Sequence, residues 1–114
     1  MSLIYPLAAG ILITIQSIFN SRISEKIGLW ETVTYVHILG LALSLVVLNL
    51  YGKGSLLKCI EVNKIYLVSG FLGVIIVYAV IKGVLTLGAT FSIGVLLIAQ
   101  LAASMIIDSW GLFG

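Results

Sequence analysis

Charge is scarce in this chain. Only 9% of its 114 residues are charged, against 61% hydrophobic residues and a mean hydropathy of +1.28. A soluble domain of this size has much surface for its volume and needs a polar shell, which so few charges cannot supply. The net charge of +2 comes without a Lys/Arg cluster, which excludes nucleic acid as a partner. Cysteine occurs once, at Cys59, so an intrachain disulfide is excluded, and a redox or metal-ligand role has no second thiol to work with. No nucleophile–base set, metal cluster or phosphate loop is present, so the expectation is no enzyme, no metal and no cofactor. The N-terminus lacks the basic segment of a signal peptide, since Arg22 follows the first apolar run, and that run is read as a retained span. No Asp or Glu falls near the middle of any apolar run. Exchange of a proton for an organic cation relies on such a buried carboxylate, and that mechanism has no residue here.

What is present is four apolar runs, about 3–20, 30–50, 65–85 and 90–110, in one domain covering 1–114. Each has about 20 residues, enough to cross about 30 Å of hydrocarbon at about 1.5 Å per residue. Strand-type alternation is absent, so helices are the structure that satisfies every backbone group in lipid. The fold class read from the chain is therefore an all-α integral membrane protein, a four-transmembrane-helix bundle. Pro6, the one proline, lies in the opening turn of the first run, where a missing N–H costs little. The polar segment 21–28 is read as the first loop, Trp30 as an interfacial anchor, and Gly88 as a tight hairpin between the last two spans.

The cations divide evenly. Arg22, Lys26 and Lys82 fall on one side of the membrane, and Lys53, Lys58 and Lys64 on the other. Orientation normally follows an excess of Lys and Arg on the cytoplasmic side. With three against three, the expectation is insertion in both orientations and an antiparallel, inverted dimer. Two opposed copies would supply the inverted repeats that many transporters place around a midplane site.

Polar residues inside spans are costly and turn toward protein or water. Gln16 and Asn20 are four apart on one helix face, suited either to a helix–helix hydrogen bond or to lining a polar path. Thr34, His37, Leu41 and Ser44 form a stripe in the second span. His37 lies about 10 Å inward from Trp30. An imidazole can change charge near neutral pH, which makes His37 a packing residue or a proton relay. Gly40 with Ser44, Ser69 with Gly73, and Ala99 with Ala103 are small-residue pairs at four-residue spacing, read as packing seams. Tyr78 either lines a pocket or sits against a neighbour. Lys82 either snorkels to the interface or faces the path, where it would attract anions. Gln100, Ser104 and Asp108 make a polar stripe beside the alanine seam. Asp108, one turn from the end, is interfacial and suited to pair with a basic residue of a partner chain. The substrate-binding set expected from these residues is Gln16, Asn20, Tyr78, Gln100 and Ser104. His37, Lys82 and Asp108 are the candidates for relay or gating.

Two segments carry a family resemblance. One is Gln16-Ser17-Ile18-Phe19-Asn20-Ser21-Arg22. The other is Ala99-Gln100-Leu101-Ala102-Ala103-Ser104-Met105-Ile106-Ile107-Asp108-Ser109-Trp110-Gly111. Together with the span number and loop lengths, they resemble the YdcZ-like half-size members of the drug/metabolite transporter superfamily. That family's pattern tends to Gly-Gln-Leu at the start of the second segment and Asp-His-Phe-Gly at its end. Here Ala99 stands for the first glycine and Ser109-Trp110 for His-Phe, so any role of that histidine is closed to this chain. The resemblance implies a multi-pass protein of the bacterial cytoplasmic (inner) membrane, paired with itself or with a sister subunit, and names no substrate.

The function expected is that of a transporter subunit moving a small polar metabolite by alternating access. The alternatives are a small dual-topology ion channel and a non-transporting assembly subunit of a heteromeric transporter. The partners expected are the lipid bilayer, a second copy or sister subunit, and the small-molecule substrate. Labelling a loop-two cysteine from one side of intact cells is expected to reach about half of the molecules if insertion is dual. Complete or absent labelling would mean one fixed orientation.

Overall fold

The computed structural model describes residues 2–54, 56–62 and 64–111, with residues 57, 59, 60 and 67 described in backbone alone. The thiol of Cys59 therefore lies outside the described residues. The elements are α1 (Ile4–Ile27), α2 (Leu29–Tyr51), a 3-10 segment (Leu56–Glu61), a one-turn α3 (Lys64–Leu67), α4 (Ser69–Leu87) and α5 (Ala89–Trp110). The described residues contain no strand. Four stretches are long and apolar enough to cross a membrane: Ile4–Ile27, Leu29–Tyr51, Lys64–Leu87 and Ala89–Trp110. The all-α, four-span membrane architecture follows.

Pro6 sits in the first turn of α1, among the N–H groups that have no intrahelical acceptor in any case. The far end of α1 differs from the sequence reading. Instead of opening into a loop at residue 21, the helix runs through the polar segment to Ile27. Residues 21–27 contain no helix breaker. Arg22 and Glu25 face each other one turn apart at 4.0 Å, both well exposed, and the Ser21 hydroxyl donates to the Ile18 carbonyl. Polarity marks where the chain leaves hydrocarbon, and the helix stops only where the backbone changes hand.

That change is a single residue, and it occurs twice in the same form. Gly28 separates α1 from α2 with φ 109° and ψ 159°, and Gly88 separates α4 from α5 with φ 86° and ψ 160°. Each glycine donates its N–H to the carbonyl four residues back, Ser24 or Val84, at 3.0 Å. Each accepts from the N–H four residues on, Thr32 or Ser92, at 3.1 Å. The Thr32 hydroxyl adds a second bond to the Gly28 carbonyl at 2.7 Å. The direction of the helix thus breaks while the hydrogen-bond ladder continues, and the conformation is one that essentially only glycine adopts.

The chain forms two compact units, 1–21 with 80–114, and 22–79. In the first, Ile81 is fully buried. Gly83 lets the end of α4 approach α5, because a Cβ there would stand 2.5 Å from the Ser92 hydroxyl. In the second, Thr32 and Val33 are buried on α2, and Trp30 stacks on Tyr78 with ring centroids 4.4 Å apart and planes 15° apart. His37 lies against Gly73, with its Nε2 3.8 Å from where a Cβ would be. Residue numbers rise along α2 as they fall along α4, so these segments are antiparallel. Loop two leaves α2 through Gly52, whose N–H caps the Leu48 carbonyl at 2.8 Å, and exposes Lys53, Lys58, Glu61 and Lys64.

Gly88→Ala is expected to lower stability by about 1–3 kcal/mol, because the backbone strain persists although the space around Gly88 is open. Unfolding of the purified protein in detergent, followed by circular dichroism, measures the loss.

Candidate functional site

Six hydroxyl groups bond within their own helix. Thr14, Ser17, Ser21, Thr32, Ser44 and Thr86 each donate to a carbonyl three or four residues back in the chain. A hydroxyl in a membrane helix satisfies itself this way when nothing else is offered. Thr34 and Ser104 have no such bond among the described residues, which leaves their hydroxyls able to bond something outside the chain.

On α1 Gln16 and Asn20 differ in burial. Asn20 is 5% exposed, and it shares its buried face with Ser17, Ser21 and Ser24, whereas Gln16 is exposed. Residues 17, 20, 21 and 24 follow one helix face at three-four spacing. Sequence reasoning passed over the three serines, although their spacing with Asn20 was the signal.

On α2, His37 is half-buried, and its Nδ1 lies 2.7 Å from the Val33 carbonyl. A carbonyl only accepts, so Nδ1 carries a proton, and in the neutral imidazole Nε2, which faces Gly73 on α4, keeps its lone pair. Thr34, His37 and Leu41 from the stripe, with Trp30, Val33 and Val74, line an open groove of about 350 Å³. Ser44 instead turns its hydroxyl to the Leu41 carbonyl. Gly40 has open space around it, and Ser69 is exposed. Of the four small residues read as seams in the second and third spans, Gly73 is the one with a neighbouring helix against it. Tyr78, half-buried, has its ring on Trp30.

On α5 no described residue is buried. Gln100, Ser104 and Asp108 are exposed, as are Ala99 and Ala103 beside them. Asp108 has no ion pair among the described residues. The Asp108 carbonyl accepts from the Gly111 N–H at 3.2 Å, and Gly111 takes the left-handed conformation at φ 65°. The glycine that ends this motif is thus the helix C-cap. Lys82 is exposed on α4. The described residues hold no group of three or more His, Cys, Asp or Glu able to bind a metal.

The DMT_YdcZ family, described as "Putative inner membrane exporter, YdcZ", matches residues 1–114. The chain belongs to the YdcZ family. No curated protein and no solved structure matches it. Membership across the whole chain, with four helices able to span, makes this YdcZ protein a multi-pass protein of the inner membrane and a membrane transporter in the general sense.

Trp30 and Tyr78 form the clearest side-chain contact between α2 and α4 of this YdcZ protein. A double-mutant cycle with Trp30→Leu and Tyr78→Leu is expected to give a coupling of about 0.5–1.5 kcal/mol in detergent unfolding. A coupling near zero would mean that the stack contributes area alone.

Proposed function

We propose that the chain is one half of an exporter that works as an antiparallel pair and moves a small polar or zwitterionic metabolite by alternating access. The observation that carries this reading is the exposed face of α5. Gln100, Ser104 and Asp108 stand on a spanning helix that buries none of its described residues. Polar groups at membrane depth face protein or water rather than lipid, and one copy offers this face neither. Ala99 and Ala103, exposed beside the stripe, allow another backbone to come close. A second copy is the partner that three-against-three cations favour, because nothing in the tally prefers one orientation.

In this pair the path is lined by Gln16, Asn20, Tyr78, Gln100 and Ser104. Asp108 pairs with a basic residue of the second copy, Lys82 draws anionic groups toward one mouth, and His37 is the candidate relay. The acids Glu25, Glu31 and Asp108 all lie within three residues of a helix end, and Glu61 lies in loop two. Amides and hydroxyls therefore provide recognition at depth, which favours a neutral or zwitterionic cargo over a bare cation.

The pairing is tested by disulfide trapping in a Cys59→Ala background. The midpoint of α5 falls between Ala99 and Gln100. In an antiparallel α5 pair a residue at the midpoint meets itself and a residue at the end does not. Ala99→Cys is expected to cross-link and Asp108→Cys to remain monomeric, whereas cross-linking of both would indicate a parallel pair. Transport is tested with a panel of radiolabelled polar metabolites in proteoliposomes. Gln100→Ala and Asn20→Ala are each expected to reduce uptake about threefold to tenfold, the worth of one hydrogen bond to substrate. Undiminished uptake in both variants would remove these residues from the path, and stepwise currents would indicate a channel.

A further inference from the structure

We infer that the groove between α2 and the first part of α4 is a binding site, separate from the α5 stripe, for a small apolar molecule that carries a hydroxyl group, such as a phenol or a medium-chain alcohol. The groove is open on one side and offers about 350 Å³, at the low end of the range of about 300–1,000 Å³ that holds small ligands. Its walls are Val33, Ile38, Leu41 and Val74, with the indole of Trp30 at one end. That indole is held in place by its stack on Tyr78. Two polar groups interrupt the apolar lining, Thr34 and His37, one helical turn apart on the same face of α2.

The hydrogen-bonding state of those two groups defines the ligand. His37 uses its Nδ1–H on the Val33 carbonyl, so in the neutral imidazole Nε2 offers a lone pair and no proton. The Thr34 hydroxyl has no hydrogen bond among the described residues, unlike the hydroxyl of Thr32 two residues earlier, which donates to the Gly28 carbonyl. A polar group left unbonded at membrane depth costs free energy, and a ligand that bonds it recovers that cost. One ligand hydroxyl fits both groups, because it donates to Nε2 and accepts from the Thr34 hydroxyl. A ligand lacking a donor would leave Nε2 unsatisfied. A carboxylate would bring a charge that no cation in the lining balances. Trp30 lies in the first turn of α2, and Leu41 is about 16 Å farther along the helix at about 1.5 Å per residue. The groove therefore runs inward from the interface, where amphiphiles of this kind collect.

The test uses the full chain in lipid nanodiscs. The chain has two tryptophans, and Trp110→Phe leaves Trp30 as the reporter. Titration with 4-propylphenol is expected to give a saturable change in Trp30 emission. Its methyl ether, 4-propylanisole, which cannot donate, is expected to bind about threefold to tenfold more weakly. His37→Leu is expected to weaken the phenol by a similar factor and to leave the ether unchanged, whereas Thr34→Val, which keeps the side-chain volume, is expected to weaken both, because the ether oxygen still accepts. Circular dichroism checks the fold of both, and Thr34→Val decides if His37→Leu does not fold. A linear, unsaturable response, equal binding of phenol and ether, or an unaltered phenol titration in Thr34→Val would overturn the assignment.

Discussion

Hydrocarbon offers no hydrogen-bond partner, and the rest of this structure depends on that. Each N–H and C=O at membrane depth must be satisfied from within the chain, which makes helices obligatory and turns expensive. The helix breaks over one residue at Gly28 and again at Gly88, and in both places the ladder is bonded on either side of the glycine. The single positive-φ residue demands glycine because a Cβ is strained there.

The same constraint sorts the side chains. Six hydroxyls turn back onto their own helix, which removes them from what the chain can bind. The groups left over are informative: the amide of Gln100 and the hydroxyl of Ser104 on the exposed face of α5, and Thr34 with His37 Nε2 in the groove beside Trp30. The first set asks for another protein surface or a water-filled path. The second, in an apolar lining, asks for a ligand that is itself mostly apolar. Transport and lateral capture of an amphiphile would thus draw on different helices of the same chain.

Much of the fold was legible from residue order alone. Span number, the place of Pro6, the charged second loop and the break at Gly88 follow from apolar run length and backbone chemistry, which are local properties. The end of α1 was misjudged because polarity was read as the end of a helix, whereas Ser21, Arg22, Glu25 and Lys26 are tolerated in one. Less of the candidate site was legible. Gln16 and Asn20 share a periodicity, yet Asn20 is buried with Ser17 and Ser21 and Gln16 is not. Periodicity gives the spacing of residues around a helix, but which side of the helix meets a neighbour depends on how that helix is rotated.

The amino-acid sequence by itself determined that this chain is a four-span, all-α membrane protein of the YdcZ family, because run length, charge scarcity and the motif from Ala99 to Gly111 need no partner helix to be read. Tertiary structure alone decided that Trp30 meets Tyr78, that His37 presents Nε2 to Gly73, and that α5 keeps its polar stripe uncovered. Those outcomes depend on the rotation and register of packed helices. In a chain that is apolar on nearly every face, hydrophobicity does not choose among rotations, and the choice falls to the few close contacts that glycines and stacked rings permit.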